Sequence, residues 1–264
     1  MNSGIVGRMP REFFQYPETW QLFELLEVAA RRSAVSRAVV FEDFLEMSIC
    51  ALSGGRMEEQ YLQVVAKHTA GKKGERGVDS LAALFAAAVN QMESDPADEL
   101  KDVLGDLFQG AITYGEDGQY YTPSPIARMM AKLSLGDFER PTDRTPTVCD
   151  PASGSGRMLL AVAEESRQFE FVGQDIDLRC VKMTALNLGL RNLYGYAVHA
   201  NSLSLQTHRA YRTGFDGRGF IKEIPLEACP APVRQAIAKP TPTPSAKPDG
   251  DPKDGVPRTQ LELF

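Results

Sequence analysis

The chain has 264 residues, of which 43% are hydrophobic and 24% charged, and a formal net charge of −6. That apolar content can bury a sizeable core, and no apolar run approaches the roughly 18 residues of a membrane-spanning helix, so a helical span is excluded. The acid excess lies in residues 1–110, with 11 basic and 17 acidic side chains against 18 of each in the remainder, so no large basic nucleic-acid face is visible in the sequence.

Cys50, Cys149, Cys180 and Cys229 are scattered with no Cys-x-x-Cys, and no charged-then-apolar leader opens the chain. The expectation is a cytoplasmic protein with reduced cysteines and no zinc. His68, His199 and His208 are too far apart in sequence to suggest a metal site.

Residues 13–70 carry apolar side chains at helical spacing, as in Trp20–Leu26 and Phe41–Met47. Gly71–Gly77 breaks the pattern as a loop whose Lys72, Lys73 and Arg76 suit either phosphate contacts or plain solvation. An alanine-rich helix follows over Leu81–Gln91, then a boundary at Asp95-Pro96 and a helix over Ala97–Phe108. Thr122-Pro123-Ser124-Pro125 can start a helix through Ile126, Met129, Met130 and Leu133, because proline is tolerated in a first turn and hydroxyls satisfy free amides. From there strand and helix alternate: strand Thr147–Asp150, helix Gly156–Arg167, strand Glu170–Asp175, helix Asp177–Leu190, strand Tyr196–Ala200. Three such steps predict a parallel sheet with right-handed crossovers. From Lys239 the chain turns Pro-rich and polar and reads as an extended tether, yet it ends in Gln260-Leu261-Glu262-Leu263-Phe264.

The most informative stretch is Val148-Cys149-Asp150-Pro151-Ala152-Ser153-Gly154-Ser155-Gly156. A strand ending in an acid, a glycine-rich turn and an immediate helix make a nucleotide-type site at a strand's carboxyl end. No Lys-Ser/Thr follows the last glycine and the Gly-x-Gly-x-x-Gly spacing is absent, so neither a phosphate loop nor a dinucleotide fingerprint fits. Gly154, Ser155 and Gly156 allow close backbone approach, and Asp175 at the end of the second strand is placed to accept two ribose hydroxyls. Ile176 would lie against a base. The competing reading is that Asp150 and Asp175 only cap helices and Asn201 only closes a turn.

With four companions, this stretch resembles motif I of the S-adenosylmethionine (SAM) dependent adenine-N6 DNA methyltransferases, especially the modification subunits of type I restriction-modification systems. Asp102-Val103-Leu104-Gly105-Asp106-Leu107-Phe108 and Gly118-Gln119-Tyr120-Tyr121-Thr122-Pro123 resemble upstream elements of the family. Phe171–Asp177 is similar to its motif II and His199–Leu203 to its motif III. The resemblance covers roughly residues 95–205. It implies an α/β fold with a truncated Rossmann-like SAM-binding domain (111–237), to which the helical spacing adds an N-terminal helical domain (1–110) and the Pro-rich polar composition a disordered tail (238–264). It also implies SAM as cofactor, with Tyr121, Thr122 and Pro123 closing over the methionine end and Asn201 on the adenine edge.

The family's Asn/Asp/Ser-Pro-Pro-aromatic motif, which accepts the target amine and stacks its flipped base, is absent after Asn201. Gly214-Phe215-Asp216 resembles the start of the family's fourth strand but continues as Gly217-Arg218-Gly219-Phe220. No catalytic residue is therefore assigned. The expected function is a DNA adenine methyltransferase-like protein completed by a partner, such as a second methyltransferase or specificity chain or a second copy. The alternative is a non-catalytic SAM-binding regulatory or antirestriction protein. In the family's full sheet, strand one is flanked by strands two and four. Its exposed edge is expected here to be covered by Arg218–Leu226 folding back as a strand, or by a second chain. Finally, Gln260, Leu261, Leu263 and Phe264 resemble the peptide by which bacterial polymerases and repair proteins dock on the DNA polymerase III β sliding clamp, with Glu262 in place of Asp.

Overall fold

A computed structural model describes residues 13–93, 99–113, 122–136, 138–139, 141, 143–204 and 206–229. A helical layer comes first, comprising α1 (Thr19–Ser33), α2 (Arg37–Ala51), α3 (Glu58–Ala66), α4 (Gly77–Glu93) and α5 (Val103–Phe108). Periodicity explains α1, whose Leu22, Phe23, Leu26, Ala29 and Ala30 are buried on one stripe. Ser36 caps α2 by accepting from the Val39 amide at 3.3 Å. α5 starts later than the spacing predicts, at Val103, because Asp102 accepts from the Gly105 amide at 2.9 Å and caps it there. The helix then widens into a π-helical turn over Gln109–Thr113.

α6 (Ser124–Leu135) leads into the alternating part: β1 (Thr147–Asp150), α7 (Arg157–Glu165), β2 (Glu170–Asp175), α8 (Leu178–Leu190) and β3 (Gly195–Asn201). All three strands lie where the apolar runs predict them, to within a residue, and they pair in parallel. Two further strands follow, of which only the second falls in a segment expected to form one. β4 (Gln206–Thr213) returns antiparallel on β3, and β5 (Lys222–Ile224) pairs antiparallel with β4, giving a mixed five-stranded sheet of order β1-β2-β3-β4-β5. Charged side chains hide the alternation of β4: Arg209 pairs with Glu223 of β5 at 2.8 Å, and Arg212 packs over the rings of Tyr194 and Phe215.

The placement of β5 corrects the expected fold-back. Residues 222–224 lie at the far edge of the sheet, so β1 is an edge strand whose outer side has no strand partner among the described residues. The segment read as the start of a fourth parallel strand is the β4–β5 connection, in which Gly214, Gly217 and Gly219 all have positive φ.

One cluster of buried side chains runs from the helical layer (Leu26, Phe41, Leu45, Leu84, Leu104, Phe108) into α8 (Val181, Ala185), β3 (Ala197) and β4 (Tyr211). A second unites α6 and α7 with Val148 and Phe171. A third, on the opposite face of the sheet, contains Val172, Tyr196, Val198, Ala200, Ala210, Ile224 and Cys229. Within the helical layer His68 is buried between Ser33 (2.7 Å) and Asp43 (3.1 Å), a packing role in keeping with its isolation in the sequence. Of the 71–77 loop, Arg76 is committed to Asp79 at 2.8 Å.

Parallel pairing of β2 and β3 sets the relative height of their carboxyl ends, and it requires Gly195. A Cβ there would press on the Phe171 carbonyl, which is backbone and cannot yield. Gly195→Ala is expected to cost about 1–3 kcal/mol through forced backbone shifts, read as a lower denaturation midpoint in urea. A midpoint unchanged from wild type would show that the strand pair relaxes freely.

Candidate functional site

Parallel strands bring Asp150, Asp175 and Asn201 to the same end of the sheet, at the carboxyl ends of β1, β2 and β3. The turn between β1 and α7 lies beside them and is pinned at several points. The Ser153 amide donates to the Gln174 carbonyl at 2.8 Å, and the Gly154 amide donates to Asp175 at 2.8 Å. Thr184 of α8 donates to the Gly154 carbonyl at 3.0 Å. Gly154 and Gly156 take φ of +54° and +86°, which side chains disfavour. The close approach also depends on Gly173, where a Cβ would meet Thr184 at 2.8 Å and Ser153 at 3.0 Å.

The two aspartates differ in surroundings. Asp150 is 6% exposed and accepts from the Ala152 amide at 3.1 Å. Burial, and to a lesser degree the neighbouring charge of Asp175, push its carboxyl up to about 6. Asp175 is half-buried, and burial raises it too, opposed by hydrogen bonds from the Asp177 and Gly154 amides. Neither forms an ion pair with a cation among the described residues, whereas neighbouring Asp177 is paired with Arg179 at 2.6 Å. Asp175 Oδ2 accepts from the Gly154 amide and Oδ1 from the Asp177 amide, with the Ile176 amide acting on the same carboxylate, so backbone donors rather than a cation hold it. The end of the sheet thus holds two carboxylates with no cation paired to either among the described residues.

The other expected residues are distributed as follows. Ile176 stands out into solvent at 67% exposure, with its carbonyl accepting from or facing His199 Nε2 at 3.0 Å. Asn201 closes the β3–β4 hairpin: its Oδ1 accepts from the Leu203 and Ser204 amides, both at 3.0 Å, which leaves its amide NH₂ as donor. Ser202 donates to the Pro151 carbonyl and ties this hairpin to the glycine turn. Ser155 faces away from the strand ends, buried with its hydroxyl on Asp102. Thr122 and Pro123 precede α6, and the Thr122 carbonyl accepts from Arg157 Nη1 at 3.0 Å. Tyr121, and the peptide residues Gln260, Leu261, Leu263 and Phe264, lie outside the described residues.

Sequence reasoning missed the residues behind the turn. Asp102, Arg157, Asn187 and Arg191 form a buried polar group that backs Ser155. One signal was available: Arg157 opens α7, where a cation is unfavourable to the helix dipole unless an acid compensates it.

Residues 99–216 match the family model described as N-6 DNA Methylase. Over 118 residues, 40% of the chain, the sequence is 26% identical to the type I restriction enzyme MpnII methylase subunit of Mycoplasma pneumoniae, of which it covers 21%. The chain therefore spans about a fifth of that relative's length. Among solved structures it is similar to the type I restriction-modification methyltransferase subunit of Streptococcus thermophilus. That comparison gives a TM-score of 0.32 and 16% identity, over 66% of this chain and 56% of that one. The matched segment runs from the approach to α5 to the end of the β4 hairpin arm and contains every strand-end residue named above.

The environment of Asp150 has a consequence for stability. Its folded-state pKa lies above that of an unfolded aspartate, so the native protein holds the proton more tightly and this carboxyl's contribution to stability falls as pH rises from about 4 through about 6. Asp150→Asn is expected to raise the ligand-free protein's unfolding free energy at pH 7.5 by on the order of 2 kcal/mol. The gain should vanish near pH 4; an equal gain at both pH values would contradict the assignment.

Proposed function

We propose that residues 99–216 bind SAM and that the protein acts in adenine-N6 methylation of DNA, with a partner completing the active site. The observation that carries the reading is the pair of strand-end carboxylates, without a paired cation among the described residues, set beside a glycine turn. SAM carries an ammonium and a sulfonium, which suit Asp150, and two ribose hydroxyls, which suit the Asp175 carboxylate. In this reading Ile176 supplies an apolar surface for the adenine and the Asn201 NH₂ donates to a ring nitrogen. Backbone of Gly154, Ser155 and Gly156 meets the methionine end, and Tyr121, Thr122 and Pro123 close over it. SAM would supply the methyl group.

The family match supports the same chemistry, and the missing Pro-Pro-aromatic motif supports dependence on another chain. The open edge of β1 is a suitable place for that chain to add a strand. Residues 1–110 then serve as a helical support, 111–237 as the cofactor-binding part and 238–264 as a tether. The partners are DNA and a second methyltransferase or specificity chain, or a second copy. The second reading, a SAM-binding regulatory or antirestriction protein, is favoured by the same absent motif.

Calorimetry with SAM tests the shared part of both readings. Wild type should bind, and Asp175→Ala should weaken binding by roughly ten- to a hundredfold, the worth of charged hydrogen bonds. No binding of SAM or its demethylated product at millimolar ligand would remove both. Transfer of tritium from labelled SAM to DNA, by this chain alone and with candidate partners, separates enzyme from regulator.

The terminal peptide supports a further partner. Leu263 and Phe264 can fill an apolar pocket and Gln260 can bond at its rim, while a Pro-rich tether gives reach. We expect purified β clamp to bind the full chain and not Leu263→Ala/Phe264→Ala; equal binding by both, or none by wild type at tens of micromolar, would remove the clamp from the account.

A further inference from the structure

Behind the glycine turn, on the side away from the strand ends, sits a carboxylate that comes from the helical layer. Asp102 is 1% exposed and receives four donors. Its Oδ1 accepts from the Gly105 amide and from Asn187 Nδ2, both at 2.9 Å. Its Oδ2 accepts from Arg157 Nε at 3.0 Å and from the Ser155 hydroxyl. Ser155 is the residue between the two positive-φ glycines, so its side chain is the handle by which Asp102 holds the turn. Asn187 holds the same residue a second time, donating from Nδ2 to the Ser155 carbonyl at 2.9 Å. Arg191 in turn orients Asn187, donating to its Oδ1 at 2.9 Å, and reaches back to the Lys101 carbonyl.

Arg157 extends this hold to the other wall of the site. Its Nη1 donates to the Thr122 carbonyl at 3.0 Å and to Gln15 Oε1 at 3.3 Å. Gln15 is itself fixed, because its amide and that of Tyr16 donate to Asp106 at 2.7 and 3.0 Å. The packing leaves no slack: a Cβ at Gly105 would run into Asp102 and Ser155.

We propose that Asp102 is a positioning residue for the SAM site: through Ser155 and Arg157 it sets both the glycine turn and the Thr122 wall, so that the helical layer governs cofactor affinity without touching the cofactor. The proposal rests on the SAM-binding reading of the strand ends. Its chemistry follows from the inventory of donors. Four donors converge on one group, which only an acceptor at both oxygens can satisfy, and an amide in its place would set an NH₂ against Arg157 Nε or Asn187 Nδ2.

The test compares Asp102→Asn with Leu26→Ala, a substitution in the core of the helical layer away from the turn, each assayed well below its melting temperature. SAM affinity by calorimetry is expected to fall about tenfold or more in Asp102→Asn, as for loss of charge-assisted bonds, and to stay within about twofold in Leu26→Ala. Hydrogen exchange at residues 153–157 and 122–127 should quicken in Asp102→Asn and not in Leu26→Ala. If Asp102→Asn does not fold, Ser155→Ala takes its place, with a smaller but measurable loss of affinity and the same quickened exchange. Wild-type affinity and exchange in the variant, or an equal loss in Leu26→Ala, overturns the proposal. Should wild-type protein bind no SAM, the functional reading fails, and the exchange arm alone then decides whether Asp102 positions the turn.

Discussion

A buried carboxylate with four donors is the constraint on which the site depends. Burying a charge costs several kcal/mol unless hydrogen bonds and a counter-charge replace water. Asp102 meets that requirement by drawing one group from each neighbouring element: its own helix start at Gly105, the turn at Ser155, the first residue of α7 at Arg157 and the middle of α8 at Asn187. Since each of these groups would itself be unsatisfied in the same interior, none can move independently. The helical layer and the alternating part are thus joined by directional bonds as well as by the apolar cluster that runs between them.

That junction explains the division of labour within the β1–α7 turn. The side facing inward is fully committed, with Ser155 on Asp102 and Thr184 on the Gly154 carbonyl. The side facing the strand ends carries Asp150 and Asp175, both raised by burial, and no cation among the described residues pairs with either. A site that keeps two carboxylates in this state is less stable than one with a paired or apolar filling, and such local cost is found where a ligand supplies what the protein withholds. The β3–β4 hairpin frames the same opening through Ser202 on the Pro151 carbonyl, which couples the third strand end to the first.

The sheet also decides where the chain runs after Asn201. β4 and β5 extend it beyond β3, tied to the helical layer by the Ile221 amide on the Leu52 carbonyl at 2.9 Å. The chain after Asn201 is thereby drawn to the side of the sheet away from β1, and the tight turns at Gly214, Gly217 and Gly219 carry it into β5.

Much of this was legible in the residues alone. Apolar runs bounded by turn signals determined β1, β2 and β3, helical spacing determined α1, α2 and α8, and the acid–glycine pattern placed Asp150, Gly154, Gly156 and Asp175 at one end of a parallel sheet, because these are local properties of short stretches. Tertiary structure alone decided the rest. Alternation in β4 is masked by Arg209 and Arg212, whose charges are tolerable only because Glu223 and two aromatic rings meet them across the strands. The edge position of β1 depends on where β5 pairs, which no local pattern specifies. Above all, that Asp102 and Asn187, 85 residues apart in the chain, share a hydrogen bond behind Ser155 is a fact of long-range packing. A polar residue in a helical stretch looks solvated until the fold shows which partners remove it from water.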